Sequence, residues 1–103
     1  SQVSLPMCSF IGNYVFQYCS SLSQVSLPVC SYIGYSAFAN CSLLNTITLG
    51  WSSVCDILES LVFNKTGITS STGSIFVPSS LVSVYKSTTH WSYFSDIIYP
   101  INN

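Results

Sequence analysis

The chain opens with a segment, residues 1–22, that recurs almost unchanged in residues 23–44. The two segments are identical at 14 of 22 positions, and several other positions differ only in side-chain size, as Met7 and Val29 do. A repeat of roughly 20–50 residues is typical of solenoids, in which each unit buries its apolar face against its neighbours. We therefore predict that successive units lie on top of one another with like residues in register.

Residues 45–66 form a third and more divergent unit. Its alignment with the first two units requires three extra residues in the turn before Cys55, which then matches Cys8. On this alignment Glu59 takes the place of Gly12, so the turn at that point must change. Divergent terminal units are expected where a stack of repeats ends.

Each unit opens on a short alternation of apolar and polar residues, as in Val25-Ser26-Leu27. This period of two predicts a β-strand whose apolar side chains point inward. Pro6 and Pro28 end the strands, because proline has no N–H to donate to a β-ladder. Gly12 and Gly34 suit tight turns with unusual backbone angles, and the segments that follow them are too short for regular helices.

The C-terminal part of the chain departs from the repeat. Residues 75–77 are predicted to be extended, residues 69–73 to form a loop, and Ser79 to be the N-cap of a helix. A second apolar cluster follows, made of Trp91, Tyr93, Phe94, Ile97 and Ile98. We predict three repeats over residues 1–66 (1–22, 23–44 and 45–66) and a C-terminal cap over residues 67–103.

These patterns together predict an α/β solenoid. Short parallel β-strands would line one face, turns or 3-10 segments the other, and a helical cap the C-terminal end. Inside the stack, one aromatic column is expected from Phe16, Phe38 and Phe63.

Composition restricts the partners of the chain. Charged residues make up 5% of it, against about 25% in an ordinary soluble domain. With only Lys65 and Lys86 as strong bases and a net charge of −1, the surface cannot steer nucleic acid or anionic membranes. No segment approaches the roughly 18 consecutive apolar residues of a transmembrane helix. We expect no nucleic-acid partner and no membrane insertion, whereas the low net charge favours self-association.

The sequence shows no signal peptide, which would need a basic start followed by an apolar run. It opens inside a repeat, without the polar cap that solenoids use for solubility. We expect the chain to be the C-terminal part of a longer protein whose targeting signal lies upstream.

Four of the five cysteines follow the repeat. Cys8 and Cys30 hold equivalent positions in the first two units, and so do Cys19 and Cys41; Cys55 lies in the third unit. None belongs to a CxxC motif, so zinc and redox sites are not expected. Two alternatives remain: a ladder of buried thiols that pack as small apolar groups, or disulfides between stacked neighbours, whose spacing of about 4.8 Å permits the bond.

A narrower resemblance rests on the motif inside each unit. Leu22-x-x-Val25-x-Leu27-x-x-Cys30 fits the strand pattern of leucine-rich repeats. A proline after the strand, then Ile33-Gly34, Ala37-Phe38 and Cys41, resembles the BspA-like (treponemal-type) subfamily. The C-terminal stretch also resembles the cap of gut-bacterial members, with His90 where that cap more often has asparagine.

This resemblance implies an extracellular or cell-surface location and a role in adhesion or protein binding. It implies no catalytic residue, no cofactor and no metal. The residues agree: His90 is the only histidine, Asp56 and Glu59 lack a partner base or metal ligand, and no serine lies in a GxSxG elbow. We therefore predict that the chain is not an enzyme.

The predicted binding surface is the concave face made by outward strand residues. These residues are Gln2, Ser4, Gln24, Ser26, Thr46 and Thr48. They are small and uncharged, and the face lacks the Trp, Tyr or Arg anchors that usually carry binding energy, so a pure scaffold is one alternative. Another is that Tyr14, Tyr18 and Tyr35 on the turn side act as anchors, unless they are partly buried between units.

Three functional hypotheses follow. The first is a surface module that binds a protein partner, either host matrix or another copy of the chain. The second is a structural assembly element whose open N-terminal repeat edge stacks on another chain or on an upstream domain. The third, an enzyme, has the least support.

Overall fold

The computed structural model describes residues 2–68 and 73–101, which form two parallel β-sheets. The five-stranded sheet has the order β1 (Gln2–Ser4), β3 (Gln24–Leu27), β5 (Thr46–Leu49), β7 (Ser74–Val77), β8 (Ile98–Pro100). The three-stranded sheet has the order β2 (Phe10–Ile11), β4 (Tyr32–Ile33), β6 (Asp56–Ile57). From β1 to β7 the chain visits the two sheets alternately, so that each passage lies beside the previous one, and β8 then joins the five-stranded sheet directly after β7.

The helices are short. The α-helix α1 spans Val82–Ser87, and 3-10 helices span Ser60–Phe63, Ser79–Leu81 and Trp91–Ile97. The helix predicted from residue 79 thus begins as a 3-10 turn whose N-cap position is Pro78, without a side-chain capping bond. The prediction of a serine N-cap is wrong, because the preceding proline already sets the backbone of the first turn. Of the loop predicted over residues 69–73, residues 69–72 lie outside the described part of the chain.

The predicted register is confirmed in the five-stranded sheet. Gln2 pairs with Gln24, and Gln24 with Thr46, so equivalent positions of the three units lie side by side. The turn segments opposite the strands also bond from one unit to the next, since the N–H of Phe16 donates to the Ala37 carbonyl at 2.8 Å and the N–H of Phe38 to the Val62 carbonyl at 3.1 Å. Backbone hydrogen bonds therefore tie successive units together on both sides.

The third unit carries its extra residues at two places. In a strict 22-residue repeat the partner of Ile33 would be residue 55, but the strand pairing joins Ile33 to Ile57. Ring stacking joins Phe63 to Phe38, whereas strict repetition would put position 60 there. Two additional residues therefore precede β6 and one follows it. The predicted alignment, which matched Glu59 with Gly12, is wrong by one residue. Because Ile57 pairs with Ile33, the next residue, Leu58, matches Gly34.

The three-stranded sheet was not predicted. Its strands contain two residues each, which is too short for an alternating pattern to be visible in the sequence. The ladder arises because units stacked in register bring equivalent extended segments together.

The glycines serve close packing and not unusual backbone angles. No described glycine has a positive φ. A Cβ atom at Gly34 would lie 2.7 Å from the Asn13 backbone nitrogen, so the approach of the first unit requires glycine there. The positive φ angles are at other residues. Five of them recur with the repeat, namely Tyr14 and Ser36, then Tyr18, Asn40 and Lys65, and the sixth is His90 in the C-terminal part.

The core is built from columns of equivalent side chains. The predicted aromatic column is confirmed: the rings of Phe16 and Phe38 are 5.3 Å apart and almost parallel, and those of Phe38 and Phe63 are 5.9 Å apart. All five cysteines are free thiols. Cys30, Cys41 and Cys55 are buried, as the thiol-ladder alternative predicts, whereas Cys19 is exposed.

Candidate binding face of the five-stranded sheet

The six residues predicted for the binding face do lie together on one side of the five-stranded sheet. Strand pairing places Gln2, Gln24 and Thr46 in one row, and Ser4, Ser26 and Thr48 in a second row. All six are exposed or half-buried, while the residues between them, such as Val25 and Ile47, are buried. The alternation along each strand therefore separates the core from a continuous polar face.

The second row continues into two aromatic side chains. Phe76 pairs with Thr48 on one side and with Tyr99 on the other. The two rings are 6.0 Å apart and inclined by 41°, and Tyr99 is 43% exposed. The expectation that this face has no aromatic anchor is wrong, because β7 and β8 extend the sheet beyond the three predicted repeats.

We call the complete face the outward strip. It consists of Gln2, Ser4, Gln24, Ser26, Thr46, Thr48, Ser74, Phe76 and Tyr99. None of these side chains is ionisable at neutral pH, so the strip presents amide, hydroxyl and aromatic groups only.

The three tyrosines proposed as alternative anchors are exposed and lie on the turn side. Tyr14, Tyr18 and Tyr35 show exposures of 56%, 70% and 44%. Their backbones are held by the bonds between units; the Tyr14 N–H, for example, donates to the Tyr35 carbonyl at 2.9 Å. They face away from the outward strip, because the turn segments lie opposite the strands.

The first unit leaves the ends of several core columns uncovered. Val3, Leu5 and Phe16 are half-buried, although their equivalents Val25, Leu27 and Phe38 in the second unit are buried. A depression of about 330 Å³ lies on this side, lined by Val3, Phe16, Cys19, Ser20, Ser21 and Leu22. We call this surface the open end.

At the opposite side of the stack, two aromatic side chains bond to Cys55, next to the edge strand β6. The N–H of Cys55 donates to the Tyr85 hydroxyl at 2.8 Å, and the Trp91 indole N–H donates to the Cys55 carbonyl at 2.6 Å. Burial raises the pKa of Tyr85 to about 12. The bond between the Cys55 and Cys30 thiols, with burial, raises the pKa of Cys55 well above its usual range. A protonated, buried thiol of this kind is a poor nucleophile.

One of the three acidic side chains, that of Glu59, bonds to a neighbouring unit. Glu59 Oε1 accepts the N–H of Ser36, which lies in the unit before it, at 2.9 Å. Asn13 Oδ1 accepts the N–H of Tyr35, which lies in the unit after it, at 2.8 Å. Both bonds join a side chain of one unit to the backbone of its neighbour. Within residues 2–68 and 73–101, no three potential metal ligands cluster, and no helix has the length and apolar character needed to cross a bilayer.

Comparison with known proteins places the chain in a family. The family described as BspA-type leucine-rich repeat region matches residues 2–102, in 6 copies. No curated protein and no solved structure gives a match. Repeats of this family generally mediate protein interactions and are generally non-catalytic. Since the match covers nearly the whole sequence, the chain belongs to the family of BspA-type leucine-rich repeat proteins.

Proposed function

We propose that the chain is a non-catalytic repeat module for protein binding or adhesion, acting at a cell or virion surface. Its partner is a protein, for example a component of a host matrix, and its location is extracellular or at the cell surface. On this proposal the chain is part of a solenoid, with residues 1–66 as three repeats and residues 67–103 as a C-terminal cap.

The outward strip is the observation that carries this proposal. It joins nine side chains from five neighbouring strands into one exposed or half-buried face with hydrogen-bonding groups along its length. A rigid parallel sheet fixes the spacing of these groups before a partner arrives, which reduces the entropy lost on binding. The aromatic pair of Phe76 and Tyr99 supplies the type of side chain that dominates interface energies.

The cap assignment draws support from the aromatic residues at the far end of the stack. Trp91 and Phe94 pack against Phe63, the last ring of the core column, with ring centres 6.0 Å and 5.6 Å from that of Phe63. Together with the bonds from Tyr85 and Trp91 to Cys55, these contacts cover both apolar surface and backbone groups that a further repeat would otherwise cover.

Binding is tested with the purified chain as bait against extracellular-matrix and mucosal proteins. The proposal predicts capture of a discrete partner with micromolar or tighter affinity. A Thr48→Lys variant, which places a charge in the middle of the strip, should lose the partner, while Ser80→Lys, at an exposed site outside the strip, should retain it. Absence of any partner at micromolar concentration contradicts the proposal.

A second candidate function, structural assembly, is favoured by the open end. Ala37 and Ala39 accept hydrogen bonds from the unit before them, and Val15 and Gln17 hold the equivalent positions in the first unit. The exposed apolar side chains of that unit, above all Met7 at 88%, extend the same surface. An added repeat, from another chain or an upstream domain, would cover these backbone groups and these apolar side chains.

Light scattering on the isolated chain tests this second function. Assembly through the open end predicts oligomers that dissociate when Val3 or Phe16 is replaced by a charged residue. The control is the exposed Tyr93, outside the open end, whose replacement by lysine should leave the oligomer unchanged. A wild-type chain that stays monomeric at high concentration contradicts assembly between copies.

A further inference from the structure

We propose that the outward strip recognises the uncharged carbohydrate chains of a surface glycoprotein. This inference rests on the proposed function, because it takes the strip to be the binding surface and names the chemistry of its ligand. It is carried by three features of the strip: its lack of charge, its regular rows of hydrogen-bonding groups, and the aromatic pair at one end.

The lack of charge selects a neutral ligand. All strand residues that face outward on the five-stranded sheet carry amide, hydroxyl or aromatic groups, and the three acids and two lysines of the chain lie elsewhere. A phosphorylated, sulfated or acidic ligand would lose hydration on this face without gaining an ionic partner. The free energy of desolvation is smaller for a polyol, because its hydroxyls exchange hydrogen bonds to water for hydrogen bonds to the protein.

The rows of the strip offer donors and acceptors at a constant interval. Ser4, Ser26 and Thr48 occupy equivalent positions on adjacent strands, which in a parallel sheet lie about 4.8 Å apart. This interval is close to the length of one sugar ring in a linear chain. Gln2, Gln24 and Thr46 form a second row beside the first, so a ring over β1 or β3 would meet a hydroxyl and an amide, and a ring over β5 would meet two hydroxyls.

The aromatic pair supplies the apolar part of the site. Phe76 is half-buried and Tyr99 is 43% exposed, with their ring centres 6.0 Å apart. Sugar rings present weakly positive C–H groups on their flat faces, and the negative face of an aromatic ring attracts such groups. From Ser4 to Tyr99 the row crosses five strands, or roughly 19 Å at the usual strand spacing, which is enough for several sugar rings.

A peptide ligand fits this face less well. Extended peptides gain most of their affinity by adding a strand to the edge of a sheet, where backbone groups are available. The outward strip lies on the face, so its backbone groups are already paired between strands. A protein surface would also meet no arginine and no buried central pocket here, which are common in protein interfaces.

The test uses an array of neutral and sialylated oligosaccharides together with mucin, before and after chemical removal of its glycans. We expect binding to neutral members of the array and to intact mucin. Tyr99→Ala and Thr48→Val should each weaken binding about tenfold, the loss expected for one well-placed contact. Tyr93→Ala is the matched control, because Tyr93 is more exposed, at 72%, and lies outside the strip.

The outcomes separate this inference from the function on which it rests. Binding that persists after deglycosylation of mucin, with no array member bound, overturns carbohydrate recognition and leaves protein binding standing. No binding to mucin in either form or to any array member also overturns carbohydrate recognition, whereas the binding function itself is judged by the separate screen of extracellular-matrix and mucosal proteins. Array binding without binding to intact mucin overturns the assignment of the ligand to a glycoprotein. A preference for sialylated members contradicts the inference, because the strip has no base to pair with a carboxylate.

Discussion

Cys55 shows how single side chains complete the backbone bonding of the stack. In the inner units, neighbouring repeats supply the backbone partners: the Ser31 N–H donates to the Ser9 carbonyl and the Ser31 carbonyl accepts the Asp56 N–H. Beside β6 the hydroxyl of Tyr85 and the indole of Trp91 serve as partners instead, both fully buried. A buried N–H or C=O without a partner costs about 1–3 kcal/mol, so each aromatic side chain contributes through its polar atom as well as its packing.

We predict that Trp91→Phe lowers the free energy of unfolding by about 2–4 kcal/mol, because it leaves the Cys55 carbonyl without its partner and reduces the buried volume. Tyr85→Phe changes little volume and should cost about 1–3 kcal/mol through the lost bond alone. Urea denaturation followed by fluorescence or circular dichroism measures both. Tyr93→Phe, at an exposed tyrosine, should have no effect, and equal effects for all three variants would contradict the role assigned to Cys55.

Lys65 illustrates a second effect at the residue scale, that of backbone conformation. Its φ is 58°, a left-handed conformation that disfavours residues with a Cβ atom by about 1 kcal/mol. Lys65→Gly should therefore stabilise the protein by a few tenths to about 1 kcal/mol. Lys86→Gly, inside the α-helix, should instead destabilise it by about 1 kcal/mol. The denaturant midpoint of each variant is compared with that of the wild type. Shifts of the two midpoints in the same direction would contradict this explanation.

At the scale of elements, sequence reasoning succeeded where the repeat is strict and failed where it is not. The register of β1, β3 and β5 follows from the period of the repeat, and so does the phenylalanine column. The two-residue strands β2, β4 and β6 carry no alternation that could reveal them. The extension by β8 was missed because Ile98 resembled part of a helical cluster, and the position of Tyr99 on the outward strip was missed with it. The outward position of Phe76 could have been predicted from the sequence, because it lies between the apolar residues Ile75 and Val77 of a predicted strand.

The aromatic column predicts a clear difference between buried and exposed phenylalanines. Phe38 is fully buried between Phe16 and Phe63, and Phe38→Ala should cost about 3–5 kcal/mol. Phe38→Leu, a milder change, should leave a folded protein with a lower denaturation midpoint. Phe10 stacks on Tyr32 at 5.1 Å but is 58% exposed, so Phe10→Ala should cost under about 1.5 kcal/mol. A similar loss at both sites would argue against the column as the centre of the core.

At the scale of the whole molecule, stability should depend on alkaline pH. The pKa of Tyr85 is about 12 in the fold against an ordinary value of 10.0. The fold therefore favours the protonated phenol: this stabilisation is complete below about pH 10 and is lost as the pH rises through about 12. The loss corresponds to about 2–3 kcal/mol.

Burial also raises the pKa of the Cys41 thiol, which acts in the same direction. The hydrogen bond with the Cys55 thiol lowers the pKa of Cys30 to about 7, so this thiol acts in the opposite direction up to its ordinary value of 9.0. Denaturant midpoints measured from about pH 10 to pH 12 therefore test the tyrosine, and Tyr85→Phe should remove part of the dependence. A wild-type midpoint that rises with pH across this range would contradict the assigned surroundings of Tyr85.

The architecture as a whole depends on parallel stacking of successive repeat units. Nuclear Overhauser contacts measured on the intact, isotopically labelled chain test this most directly. Parallel stacking predicts contacts between equivalent strand residues of neighbouring units, such as Val25 and Ile47, and between the rings of Phe16 and Phe38. Contacts in the antiparallel order of a hairpin, or an absence of contacts between the Phe16 and Phe38 rings, would contradict it.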